Sequence, residues 1–147
     1  MVEYTIIRDT REKDGKGWNF TAHPVIDKKL DTGDYSLLTY ENIFTIERKA
    51  TVSEVAKNIQ EKRFIRELER MDNMKHAYVI LEFTLEDLLT PQRFVKVNPH
   101  FLLKTIVEYT LQYPQIQIIF AGNRGKDIAS SIFKRIVEKD VKQSHRR

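Results

Sequence analysis

Five side chains in the first third of the chain have the types and spacing for phosphoryl chemistry: Asp9, Glu12, Asp34, Glu47 and Lys49. Two or three carboxylates brought together offer hard oxygen ligands for Mg²⁺ or Mn²⁺, with waters completing the shell. A lysine beside them can orient or help activate a water and offset charge on a phosphorane-like transition state. Bound metal lowers the pKa of that water and polarises the phosphoryl group. The chemistry implied is phosphodiester hydrolysis, with Lys49 open as general base or as electrostatic group. The same residues also fit a plainer reading, in which acidic groups at strand ends close surface ion pairs.

For these side chains to meet, neighbouring strands must carry them. Residues 3–8 (EYTIIR) form a short β-prone run ending at Asp9, and WNFTAH at 18–23 reads as another strand, interrupted at Pro24. Asp31-Thr32-Gly33-Asp34 is a turn signal, and the apolar runs 35–40 and 43–49, split by Glu41-Asn42, look like a hairpin. Asp34 and Glu47 then meet at one edge of the hairpin, with Asp9 or Glu12 approaching from the adjacent strand. Strand periodicity places Glu47 and Lys49 on one side and Arg48 on the other.

After Lys49 the apolar period lengthens. Val52, Val55, Ala56 and Ile59, then Phe64, Ile65, Leu68 and Met71, predict one long helix or two joined near 60–62. Thr51 or Ser53 caps it, and Glu61, Lys62, Arg63, Arg66, Glu67, Glu69 and Arg70 take the exposed positions. HAYVILEF at 76–83 reads as a buried central strand, followed by a short helix near 85–89. A helix over 100–112 buries Leu103, Ile106, Val107 and Leu111, and IQIIFA at 116–121 reads as a second central strand. The last helix, near 126–140, carries Ile128, Ala129, Ile132, Ile136 and Val137 as its apolar stripe. Strands concentrated early, then helix and strand in alternation, predict an α/β fold with a mixed sheet.

The composition narrows the classes. A chain of 147 residues fits one domain, read as residues 1–140 with a polar basic tail at 141–147. With no cysteine there is no disulfide framework, thiolate nucleophile or cysteine metal site. No apolar run approaches the ~20 residues that cross a bilayer, and the N-terminus MVEYTIIRD does not read as a signal peptide. A cytoplasmic protein with no membrane partner is expected. Residues 1–73 hold 13 basic and 14 acidic side chains, whereas residues 74–147 hold 12 and 7. The second half is therefore the one suited to a phosphate backbone.

The motif TIERK preceded by GDY, with IIRDTRE at the N-terminus, resembles the nuclease domain of the XPF-type structure-specific endonucleases, a branch of the restriction-endonuclease-like superfamily. That family's signature is Gly-Asp, a variable gap, Glu-Arg-Lys and, three residues later, Asp. Gly33-Asp34 and Glu47-Arg48-Lys49 match it, and the family's upstream Asp-x-x-Glu falls on Asp9 and Glu12. The resemblance continues through Phe64…Leu68, the HAYVILEF strand and IQIIFA. It implies a mixed sheet flanked by helices and metal-dependent cleavage near junctions in branched, flap or fork DNA, in repair, recombination or replication. By the same resemblance Asp34, Glu47 and Asp9 are metal ligands, Glu12 supports the site, Lys49 assists the water, and Gly33 and Arg48 are structural.

Two departures from the family pattern stand out. The final Asp falls on Ser53, which is read as holding a water or capping the helix. No helix-hairpin-helix DNA-binding domain is evident, so DNA binding is expected through this domain alone, through a homodimer or through a DNA-binding partner protein. These departures support an alternative, a catalytically weak or inactive DNA-binding or scaffolding member of the same fold. The compact form suits a bacteriophage or prokaryote.

Further basic and aromatic residues are candidates for DNA contact. Arg11, Lys13, Lys16 and Trp18 lie around the loop after Glu12, with Trp18 able to stack on an unpaired base or to pack in the core. Gly122-Asn123-Arg124-Gly125-Lys126 is too short for a Walker loop and reads as a strand-to-helix turn, with Arg124 and Lys126 free to meet a phosphate. The histidines at 23, 76, 100 and 145 show no metal-ligand spacing.

Overall fold

The computed structural model describes residues 2–12 and 15–145, with the side chain of His145 left aside; Lys13 and the Arg146-Arg147 end of the basic tail lie outside them. Among the described residues six strands form one sheet: β1 (Ile6–Arg8), β2 (Val25–Asp27), β3 (Tyr35–Leu37), β4 (Phe44–Lys49), β5 (His76–Leu81) and β6 (Ile116–Phe120). Their spatial order is β2-β1-β3-β4-β5-β6. β1 and β3, and β3 and β4, pair antiparallel, while β1–β2, β4–β5 and β5–β6 pair parallel. The expected mixed α/β sheet and the 35–49 hairpin are both present.

Alternation along the central strands divides the core into two layers. Ala77, Val79 and Leu81 of β5 face α1 (Val52–Asn58), α2 (Lys62–Met71) and α4 (Pro99–Gln112), where Val55, Phe64, Leu68, Leu102 and Ile106 complete one apolar cluster. Phe44 and Ile46 of β4 and Ile80 of β5 face α5 (Gly125–His145), which contributes Ala129, Phe133, Ile136 and Val137. Glu47 and Lys49 lie on the first side and Arg48 on the second.

The region 59–61 separates α1 from α2. Thr51, not Ser53, caps α1: its side chain accepts from the Glu54 N–H at 3.1 Å, while Glu54 Oε1 accepts from the Ala50 N–H at 2.9 Å. The short helix α3 (Leu85–Leu89) starts in a capping box between Thr84 and Asp87.

Four local expectations are corrected. Residues 18–23 are not a strand; Trp18 and Phe20 instead pack with Tyr35 and Phe133 as an aromatic cluster. The strand follows Pro24, whose carbonyl receives the Ile6 N–H at 2.9 Å, at a sheet edge where a missing N–H is tolerated. The 116–121 run is an edge strand, not a central one, with only Ile116 fully buried along β6. On α4 the buried stripe is Leu102, Ile106 and Tyr109, while Val107 is exposed and Leu111 is 72% exposed. Ile106 and, in part, Leu103 are thus buried as expected, while the stripe continues through Leu102 and Tyr109 instead of Val107 and Leu111. Finally, α5 runs to His145 rather than stopping near 140, since no Gly or Pro interrupts it after Gly125.

Candidate metal site

The turn before β3 and the middle of β4 bring the central carboxylates together. Gly33 has φ +80°, and a Cβ there would collide with the Thr45 hydroxyl and crowd the Ile46 carbonyl at 3.1 Å. Glycine therefore lets the turn lie flat against β4. The Asp34 N–H then donates to the Ile46 carbonyl at 2.8 Å, and the Arg48 N–H donates to Asp34 Oδ2 at 2.8 Å. This two-way lock fixes Asp34 beside Glu47, whose carboxyl it contacts.

Glu47 is 5% exposed. Its Oε2 pairs with the Lys49 ammonium at 2.8 Å, but its Oε1 is buried and has no hydrogen-bond donor among the described residues. Burial, then the neighbouring Asp34 charge, push the Glu47 carboxyl up to about 8, although Lys49 pulls in the other direction. Burial likewise raises Asp34 to about 6, against the hydrogen bond from the Arg48 amide. Burial alone would lower Lys49, but Glu47 outweighs it and the ammonium is held above its ordinary value. The Phe64 ring lies 4.8 Å beneath that ammonium.

Asp9 and Glu12 are placed differently. Asp9 is fully buried: Oδ1 accepts from the Leu30 N–H at 2.7 Å, and Oδ2 accepts from Arg11 N–H at 3.0 Å and Nε at 2.6 Å. Burial favours its neutral form, but these bonds win and hold the carboxyl below its usual range. Its carboxylate anchors the start of the 3-10 turn Thr10–Glu12 and the 30s loop. Arg11 also donates to the Gly33 carbonyl at 3.3 Å, while its charge acts on Asp34 and Glu47.

Glu12 sits on the opposite side of β4, 3.5 Å from the Arg48 guanidinium. Arg48 there pairs closely with Glu82, donates to the Lys16 carbonyl at 2.6 Å and lies 5.3 Å over Trp18. Trp18 is 6% exposed; its ring stacks on Tyr35, and its Nε1 donates to Glu82 at 3.1 Å. The structure thus places Trp18 in the core, with the Lys16 side chain exposed beside it. Ser53 is exposed on the first turn of α1. Arg124 and Lys126 are exposed around the start of α5, where Arg124 pairs with Asp127 at 3.2 Å.

Glu67 is a residue of this site that the sequence reading places on the exposed face of α2. It is half-buried: its Oε1 accepts from the Gly33 N–H at 3.1 Å and its carboxyl contacts Glu47. Burial, then Glu47, raise Glu67 to about 7. The available signal was its position at the border of the apolar stripe, one residue before Leu68 and three after Phe64. Glu82, the partner of Arg48, carried no comparable signal, because it follows a strand and meets Arg48 only in the folded sheet.

Among the described residues, no group of three or more His, Cys, Asp or Glu side chains is arranged to hold a metal ion. The donor set nevertheless fits a hard divalent cation, because Asp34 and Glu47 face each other and one buried Glu47 oxygen has no donor. Mg²⁺ needs only one or two carboxylates, with waters and substrate oxygens completing its shell.

Residues 9–134 match the ERCC4 domain, so the chain belongs to the ERCC4 domain family, that of the XPF-type endonuclease domains. Among solved structures it is similar to XPF from Aeropyrum pernix, at 20% identity and a TM-score of 0.67, over 95% of this chain and 69% of that one. It is also similar to XPF from Aeropyrum pernix in complex with DNA, at 19% identity and a TM-score of 0.66, over 94% of this chain and 66% of that one. The fold is therefore the restriction-endonuclease-like mixed sheet flanked by helices. No curated protein gives a significant match.

Proposed function

We propose that this ERCC4-domain chain is a Mg²⁺- or Mn²⁺-dependent DNA endonuclease that hydrolyses phosphodiester bonds in branched, flap or fork DNA. The observation that carries the reading is the unpartnered Glu47 Oε1, buried against Asp34 and beside Lys49. A buried carboxylate oxygen without a donor loses its hydration with nothing in return, unless a cation or proton takes that place. Asp34 and Glu47 would hold the ion, which when bound polarises the scissile phosphate and activates a water nucleophile.

The remaining residues orient the substrate and carry charge. Lys49 presents an ammonium beside Glu47, positioned to offset negative charge gathering on phosphoryl oxygens. Arg11, two-thirds exposed while its Nε is held by Asp9 and its Nη2 by the Gly33 carbonyl, offers Nη1 to the DNA backbone from the adjacent turn. The exposed Lys16, Arg124 and Lys126 side chains are further candidates for phosphate contact, as is Lys13, which lies outside the described residues. Asp9, expected as a third ligand, has both oxygens bonded to Leu30 and Arg11 and supports the site by fixing Arg11, while Glu12 helps secure Arg48.

The proposed homodimer uses the face beside β6. Among the described residues this strand pairs only with β5, and a groove of about 590 Å³ between β5 and α5 is lined by Tyr78, Ile128, Ile132 and Ile136 together with His76, Asp127, Arg135 and Lys139. A groove of mixed apolar and charged lining, one strand in from the sheet edge, suits a second protein chain.

Purified protein is to be incubated with labelled flap, fork, duplex and single-stranded DNA in Mg²⁺, Mn²⁺ or EDTA. Metal-dependent cleavage of flap and fork substrates is expected, and Asp34→Asn is expected to abolish it. Cleavage that persists in EDTA would overturn the metal-site reading. DNA binding without metal-dependent cleavage would favour the scaffolding alternative.

A further inference from the structure

α2 reaches across to the turn that presents Asp34. Arg70 Nε donates to Thr32 Oγ1 at 3.1 Å, and one helical turn earlier Glu67 Oε1 accepts from the Gly33 N–H at 3.1 Å. Were Glu67 only a clasp for this turn, a neutral amide would serve equally well, since its carbonyl oxygen accepts the same bond. Yet Glu67 is a carboxylic acid whose carboxyl also contacts Glu47. It approaches a side chain that is itself 5% exposed and has one oxygen without a partner.

The local charge balance bears on what belongs between them. Asp34, Glu47 and Glu67 form a chain of contacting carboxyls, and Lys49 is the cation bonded to Glu47. Arg11 is already held by Asp9. With all three carboxyls deprotonated, they and the one ammonium carry two net negative charges, which one divalent cation balances. Like charges at contact distance in a partly desolvated place repel strongly unless a proton or a counter-ion joins them, and a divalent cation does so without neutralising the ligands.

We propose that Glu67 is a positioning residue of the divalent-cation site, supplying from α2 the third negative charge behind Glu47 while holding the Gly33–Asp34 turn. It acts through Glu47, Gly33 and solvent rather than as a direct ligand. Outer-shell carboxylates of this type orient the liganding oxygens and increase the local negative potential that retains the ion. The inference rests on the cation-site reading above.

The test is Mn²⁺ titration of the full chain, by calorimetry or by the electron paramagnetic resonance of free Mn²⁺, alongside melting curves without metal. Glu67→Gln keeps an acceptor for the Gly33 N–H and removes the charge. It is expected to melt at or above the wild-type temperature without metal and to bind Mn²⁺ roughly 10-fold or more weakly. Glu67→Asp, which restores charge, is expected to recover most of the affinity, and Glu69→Gln on the exposed face of α2 to leave it unchanged.

Wild-type affinity in folded Glu67→Gln would overturn the inference and leave Glu67 as a clasp alone, with the cation site intact. An equal loss in Glu67→Asp and Glu67→Gln would overturn it too, because shape rather than charge would then matter. Wild-type protein that binds no Mn²⁺ would instead defeat the underlying cation-site reading.

Discussion

Glu47 and Arg48 are neighbours on β4 that point to opposite sides of the sheet, and the two sides are finished differently. Behind Arg48 the polar groups are paired: Glu82 and Glu12 meet the guanidinium, the Lys16 carbonyl accepts from it, and Trp18 lies beneath it. Around Glu47 the opposite holds. Three acidic groups crowd together, one buried oxygen lacks a partner, and burial pushes Glu47, Glu67 and Asp34 to about 8, 7 and 6. A satisfied network rigidifies the strand, whereas an unsatisfied one is destabilised by itself and ready for a ligand. Under the proposed function, the chemistry belongs to the Glu47 side and its support to the Arg48 side.

The largest effect that separates the sides is expected at Glu47. Glu47→Gln removes a candidate ligand while relieving repulsion, so cleavage should fall by about 10³-fold or more, equivalent to about 4 kcal/mol of barrier. Arg48→Met is expected to act on the other side by leaving Glu82 and Glu12 uncompensated. It should lower unfolding free energy by about 3 kcal/mol in urea denaturation. An unchanged midpoint would remove the structural reading of the Arg48 side.

Gly33→Ala should rank next. Left-handed backbone and the collision with Thr45 together are expected to destabilise by about 2 kcal/mol and to displace Asp34. Chemical denaturation with Mn²⁺ titration reads both effects.

The acidic side also gives a pH signature. Its carboxyls bind protons more tightly in the folded than in the unfolded chain, so their contribution to stability is fully present below the ordinary carboxylate range. It is lost as pH rises through about 6 to 8. Without metal the midpoint of unfolding should therefore fall between about pH 4.5 and 8, less steeply in Glu47→Gln. A midpoint that rises over this window would contradict the assigned burial. The smallest effect is expected at Ser53: Ser53→Asp adds an acidic group to the first turn of α1 and should stabilise by about 0.5 kcal/mol. Its cleavage rate shows whether a carboxylate there adds to the site.

Much of this was legible in the residues. The period-two alternation separates Glu47 and Lys49 from Arg48, and the Gly-Asp turn places Asp34 beside Glu47, since both depend on local geometry. Other features depend on tertiary choices. Trp18 and Phe20 alternate like strand residues but bury their rings with Tyr35 and Phe133. The α4 stripe runs through Leu102 and Tyr109 rather than Val107 and Leu111 to fill the layer under β5. Glu67 looks solvent-facing along α2, and becomes part of the site only because that helix crosses the Gly33 turn.

The most direct measurement is single-turnover cleavage of a labelled flap substrate in Mn²⁺ by wild-type and Glu47→Gln protein, each paired with its metal-free melting temperature. The expected result is a variant that melts no lower than wild type and cleaves at least about 10³-fold more slowly. A folded variant that still cleaves within tenfold of wild type would contradict the assignment of the chemistry to the Glu47 side of the sheet.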